Sequence, residues 1–125
     1  MVKLQLGELG EEYFRKVESE VIRSCFKDFR GVISTGGGSV ISKANVNNLK
    51  ATGKLIYLKS SPENVLYNLR RSKKVRPMLR QNLNLNYIQK FMKARGEIYS
   101  KVKDYEINVD ELSIEQVIHS IIKLM

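Results

Sequence analysis

Apolar residues recur at three- and four-residue steps from Gly7 to Lys27: Leu9, Tyr13, Phe14, Val17, Val21, Ile22, Cys25 and Phe26. That is one stripe of an amphipathic helix over 7–27, with Glu8, Glu11 and Glu12 suited to its positive end. Cys25 lies on the stripe and is expected in the core. A short apolar run over 31–35 predicts a buried strand, stopped by Gly36-Gly37-Gly38. Val46 and Leu49 share a face of a predicted helix over 42–50, with Gly53 as terminator. Residues 54–58 read as a second strand. Ser61-Pro62-Glu63 then supplies an N-cap, a first-turn proline and a first-turn acid for a helix running to 72. Residues 73–84 are polar, basic and without period, hence a loop. Helical spacing returns over 86–101 through Tyr87, Ile88, Phe91 and Met92. Residues 105–109 form a third strand candidate. Ser113 and Gln116 make a capping-box pattern ahead of a last apolar helix reaching Leu124.

Alternation of helices and strands with short links argues for an α/β layer on parallel strands. The 125 residues suit one small domain or a piece of one, with no repeat, low-complexity segment or linker. At 42% apolar residues and two prolines, the composition is globular. No apolar run approaches the ~20 residues of a spanning helix. The first residues lack a secretory signal pattern, and one cysteine makes no intrachain disulfide. Cytoplasmic residence is expected. A single histidine, His119, has no ligand-spaced partner and is expected to be structural or exposed. The formal charge of +9 calls for an anionic ligand or a well-solvated surface.

Four features could carry chemistry. Ser34-Thr35-Gly36-Gly37-Gly38-Ser39 follows a predicted strand, where parallel sheets gather ligands. Its glycines allow close backbone approach and offer free N–H donors, although a flexible turn explains the triplet alone as well. Arg15 and Glu18 stand three residues apart on the first helix. There the carboxylate can hold the guanidinium as a bidentate receptor for a carboxylate or phosphate; an exposed helix ion pair is the plainer alternative. Residues 70–80 carry Arg70, Arg71, Lys73, Lys74, Arg76 and Arg80 with no acid, and Pro77 keeps Arg76 extended. Such a loop can close over polyphosphate, lie along nucleic acid, or be solvated. Arg95 and Tyr99 are one helical turn apart, which suits either a binding arginine or a surface arginine over a core aromatic.

The order and spacing of these pieces are more specific than any one of them. Gly10-Glu11-x-x-Phe14-Arg15-x-x-Glu18 precedes Val32-Ile33-Ser34-Thr35-Gly36-Gly37-Gly38-Ser39-Val40. Tyr57-Leu58, Pro62-Glu63, Arg76-Pro77-Met78-Leu79 and Arg95-x-x-x-Tyr99 follow. Across essentially the whole chain this resembles shikimate kinase. The resemblance implies a P-loop, nucleoside-monophosphate-kinase-like three-layer α/β fold and transfer of the ATP γ-phosphoryl group to the shikimate 3-hydroxyl, in chorismate and aromatic amino acid biosynthesis. It implies that Arg15 and Arg95 bind the shikimate carboxylate, with Glu18 holding Arg15, and that Gly36, Gly37 and Gly38 offer backbone N–H groups to the substrate. Arg76 becomes the catalytic lid arginine, acting on the transferring phosphoryl when loop 73–84 closes. Arg71, or Arg70 beside it, matches the arginine that lies against adenine. Met78 stands where leucine is usual, a volume-conserving swap.

The resemblance also implies a front segment: a strand, a loop ending in Gly-Lys-Ser/Thr, a helix and an Asp-x-Asp sequence. Neither motif occurs in these 125 residues, and Gly53-Lys54 is followed by Leu55. Such a loop cradles the β- and γ-phosphates and supplies the Mg²⁺ hydroxyl. The chain is therefore expected to be one partial domain over 1–125, with substrate helix 7–27, glycine loop 36–39 and lid 73–84, missing its first βα unit. The main ligands of ATP and Mg²⁺ are expected to be absent, and the chain inactive alone. Because the family's first strand lies between those matching 32–35 and 54–58, these two should stand apart or pair in an altered register. A complementing N-terminal fragment is then the expected partner, and the chain alone is expected to be marginally stable. Two other readings are a non-catalytic shikimate-binding module and a basic nucleic-acid-binding protein. Nucleic acid is the least expected of these, because the motifs run through the basic loop; no membrane partner is expected.

Overall fold

In a computed structural model, residues 8–71 and 84–125 are described. They fall into two compact units that meet in sequence between Leu55 and Ile56.

The first unit is built on α1 (Glu8–Cys25), a 3-10 turn (Ser39–Ile41) and α2 (Lys43–Thr52). The helical stripe of α1 is wider than the face it buries. Ile22 is buried and Phe14 and Phe26 partly so, while Tyr13, Val17 and Val21 are exposed. Cys25 is exposed as well, which corrects its expected core position. It is the last residue of α1 and continues the exposed line of Val17 and Val21 at four-residue steps. Val40 and Leu49 are the other buried apolar residues among those described in this unit. The Ser42 hydroxyl accepts from Asn45 N and caps α2, and Gly53 ends the helix in an extended conformation.

Residues 31–35 do not form the predicted strand. The sheet of the described residues has two strands, and this segment belongs to neither. Its composition suits a strand, but a strand exists only with a ladder partner, and among the described residues it has none. Val32 is accordingly 86% exposed.

The second unit runs β1 (Ile56–Lys59), α3 (Pro62–Arg71), α4 (Leu85–Val102), β2 (Tyr105–Asn108) and α5 (Ile114–Leu124). The strands pair in parallel with Ile56 opposite Tyr105 and Lys59 opposite Asn108, and Val109 N extends the ladder to Lys59 O at 2.9 Å. Parallel neighbours require a crossover, here through α3 and α4. Leu66 and Ile88 form the centre of that layer, with Ile88 only 1% exposed; Val65, Leu69, Leu85, Tyr87, Phe91 and Met92 pack around them. Helix starts follow their predicted caps. Ser61 Oγ accepts from Asn64 N at 3.1 Å, and the reciprocal Ser113–Gln116 box opens α5. Asp110 joins the strand ends to α3: its carboxylate accepts from Ser60 Oγ at 3.0 Å and from Ser61 N at 3.0 Å. The Ser61 backbone bond leads, and with both serine hydroxyls it holds the Asp110 pKa below its ordinary value despite some desolvation. His119 is exposed. Among the described residues, no helix is long and apolar enough to cross a membrane.

Candidate carboxylate-binding site

Helical spacing brings Glu11, Arg15 and Glu18 onto one face of α1. Arg15 Nε donates to Glu11 Oε1 at 3.2 Å, and Nη1 donates to Glu18 Oε1 at 2.9 Å. The guanidinium carbon also lies 5.3 Å from the centre of the Phe14 ring. Partial burial alone would lower the Arg15 pKa; the Glu18 hydrogen bond and the charges of Glu18 and Glu11 outweigh it, so the pKa is raised. A cation fixed this way stays charged at every accessible pH. Its side chain remains 33% exposed, while that of Glu18 is 11% exposed, so the holder is mostly covered and the fork is reachable.

The glycine segment meets this pair from the other side. A Cβ built on Gly38 would stand 2.5 Å from Arg15 Nη2 and 2.7 Å from Cζ, and one on Gly36 would stand 3.3 Å from Glu18 Oε2. Gly38 has an ordinary backbone conformation (φ −93°, ψ −2°), so glycine is needed there for space rather than for its torsion angles. The 3-10 turn that follows closes through Ser39 N to Gly36 O at 3.1 Å and Ile41 N to Gly38 O at 3.2 Å. Ser39 Oγ donates to the second Glu18 oxygen at 2.8 Å. Asn45, from α2, donates through Nδ2 to Ser39 O at 2.9 Å.

The structure thus brings Arg15, Glu18, Gly36 and Gly38 together in the first unit, with Gly37 between the two contacting glycines in sequence. In the second unit, Arg95 is partly buried on α4 with its guanidinium carbon 4.9 Å from the Phe91 ring centre, and Tyr99 packs edge-on against Tyr57 at 5.1 Å. Arg71, exposed at the end of α3, lies over Tyr67 at 5.1 Å. Arg76 and nearly all of the predicted lid fall outside the described residues. Sequence reasoning missed the parts of Ser39 and Asn45. Ser39 stood in the quoted motif as the residue after the glycines, whereas Asn45 carried a signal only in its four-residue step to the buried Leu49.

Among the described residues, no group of three or more His, Cys, Asp or Glu side chains could hold a metal ion.

A charged guanidinium held between two carboxylates and against a glycine-rich turn is a group of the class that suits small planar anions. Comparison with known proteins narrows that class. A sequence model of shikimate kinase matches residues 2–125. The chain is 38% identical over 116 residues to the shikimate kinase of Aliivibrio fischeri, covering 93% of this chain and 67% of that protein. It is 36% identical over the same length to the shikimate kinase of Vibrio parahaemolyticus, with the same coverage. The crystal structure of shikimate kinase from Bacteroides thetaiotaomicron superposes with a TM-score of 0.69 at 28% identity, over 98% of this chain and 69% of that one. The chain belongs to the shikimate kinase family, and its fold is the α/β, P-loop-kinase type. It spans about two thirds of the length of these relatives.

Proposed function

We propose that this chain is the shikimate-binding and lid-bearing part of a shikimate kinase, one partial domain of an enzyme that transfers the ATP γ-phosphoryl group to the shikimate 3-hydroxyl. The observation that carries the reading is Arg15, clamped between Glu11 and Glu18 and pressed against Gly38, at the positions of the family motif. A planar fork held in one orientation suits a planar carboxylate, and its charge stays fixed. Arg95 is the second carboxylate ligand in this reading, and Gly36, Gly37 and Gly38 offer N–H groups to the ring substituents. Arg71 lies against adenine. Arg76 approaches the transferring phosphoryl when the lid closes, so its contribution falls mainly in the transition state.

The phosphate cradle has to come from residues beyond these 125, because they contain no Gly-Lys-Ser or Gly-Lys-Thr. A P-loop-bearing N-terminal segment is accordingly the proposed partner, ATP the co-substrate and the cytoplasm the compartment. The 31–35 segment supports this, since it carries the apolar pair Val32-Ile33 and has no ladder partner among the described residues. The test is phosphoryl transfer from ATP to shikimate by the chain alone and after mixing with a P-loop-bearing N-terminal segment. Turnover only in the mixture is expected. No turnover in either, with shikimate bound in both, would favour a non-catalytic binding module.

A further inference from the structure

Glu18 uses both carboxylate oxygens. Oε1 accepts from Arg15, and Oε2 accepts from Ser39 Oγ at 2.8 Å. A carboxylate bonded at one oxygen can still rotate about its terminal torsion, which is broad. One bonded at both oxygens to groups on different elements cannot rotate without breaking a bond. Ser39 is itself fixed: it is 2% exposed, its N–H closes on Gly36 O, and its carbonyl accepts from Asn45 Nδ2. Asn45 is also 2% exposed, and its Oδ1 is buried without a hydrogen-bond partner among the described residues. An unpaired buried acceptor costs stability, so the amide is not accounted for by its oxygen. What the amide does at this position is hold the Ser39 carbonyl.

We propose that Ser39 and Asn45 are positioning residues for substrate recognition. Asn45 fixes the turn, Ser39 fixes Glu18, and Glu18 aims the Arg15 fork at the substrate carboxylate. The relay runs from α2 through the glycine turn to α1, so the orientation of Arg15 is set by three separate segments of the first unit. This inference rests on the reading of Arg15 as the shikimate carboxylate receptor.

The experiment measures binding of shikimate and of its uncharged methyl ester by calorimetry, together with the Arg15 side-chain N–H resonances. The variants are Ser39→Ala, Arg15→Ala, their double mutant and Asn45→Leu. Ser39→Ala is expected to weaken shikimate binding about tenfold, the size of one charge-assisted hydrogen bond. It should leave the ester unaffected, shift the Arg15 resonances, and add nothing in the Arg15→Ala background. Asn45→Leu is expected to weaken shikimate binding, to shift the Arg15 resonances and to leave the ester unaffected, which a merely structural role would not produce. Additive losses, or Arg15 resonances unmoved by Ser39→Ala, would overturn the relay. Equal binding of shikimate and ester by the parent chain would overturn the Arg15 reading and the positioning role with it. The resonance shift would then still report whether the hydrogen bonds themselves are coupled.

Discussion

A methyl group on Gly38 would stand 2.5 Å from Nη2 of Arg15, closer than real Cβ contacts come. Because the guanidinium is tied to Glu11 and Glu18, it cannot step aside without leaving one of them. Gly38→Ala is therefore expected to misplace the fork and weaken shikimate binding by about tenfold or more, one or two charge-assisted bonds. The melting temperature should change by only a few degrees, because φ at Gly38 is ordinary for alanine. Calorimetry paired with thermal melts separates the two effects.

Arg15→Lys tests whether charge alone suffices. A lysine ammonium is a compact point charge and cannot present a planar fork while bonded to two carboxylates. Its shikimate affinity is expected to lie within a few-fold of that of Arg15→Ala. Stability should move by no more than about 1 kcal/mol, since these ion pairs are partly solvated. Denaturant melts of the two variants check the second expectation.

Asp110 gives a pH signature. Its carboxyl gives up its proton more readily in the folded chain than in the unfolded one, so the ionised form favours folding. The contribution is fully present above the unfolded value of about 3.9 and disappears as the pH falls through the lower folded value. Asp110→Asn should flatten the acid limb of a stability-against-pH curve and leave it parallel to that of the parent chain above about pH 6.

Packing predicts a contrast between two isoleucines. Ile88, 1% exposed between α3 and α4, should lose about 2–5 kcal/mol on truncation to alanine. Ile118, half exposed on α5, should lose about 0.5 kcal/mol or less. Equilibrium unfolding of the two variants measures both.

Much of the local structure was legible because caps and periodicity are local. The serine caps at Ser61 and Ser113 and the stripe through Tyr87, Ile88 and Phe91 placed their helices to within a residue or two. The parallel pairing of β1 with β2 followed from the alternation of elements. The 31–35 segment failed because pairing depends on a partner that its own residues do not reveal. Cys25 failed because a wide apolar stripe does not say which of its edges is covered. In the site, Arg15 and Glu18 were legible as a helical pair, and the glycine triplet as a place of close approach. Asn45 was not, because its contact is a side chain reaching the backbone of a turn six residues earlier.

The central claim is that Arg15, in its carboxylate clamp, is the receptor for the shikimate carboxylate. Calorimetric titration of the chain and of Arg15→Ala with shikimate tests it most directly. Saturable binding by the parent chain, lost or weakened at least tenfold in the variant, is the predicted result. Absence of binding by a folded parent chain, or equal affinity in the two proteins, would contradict the claim.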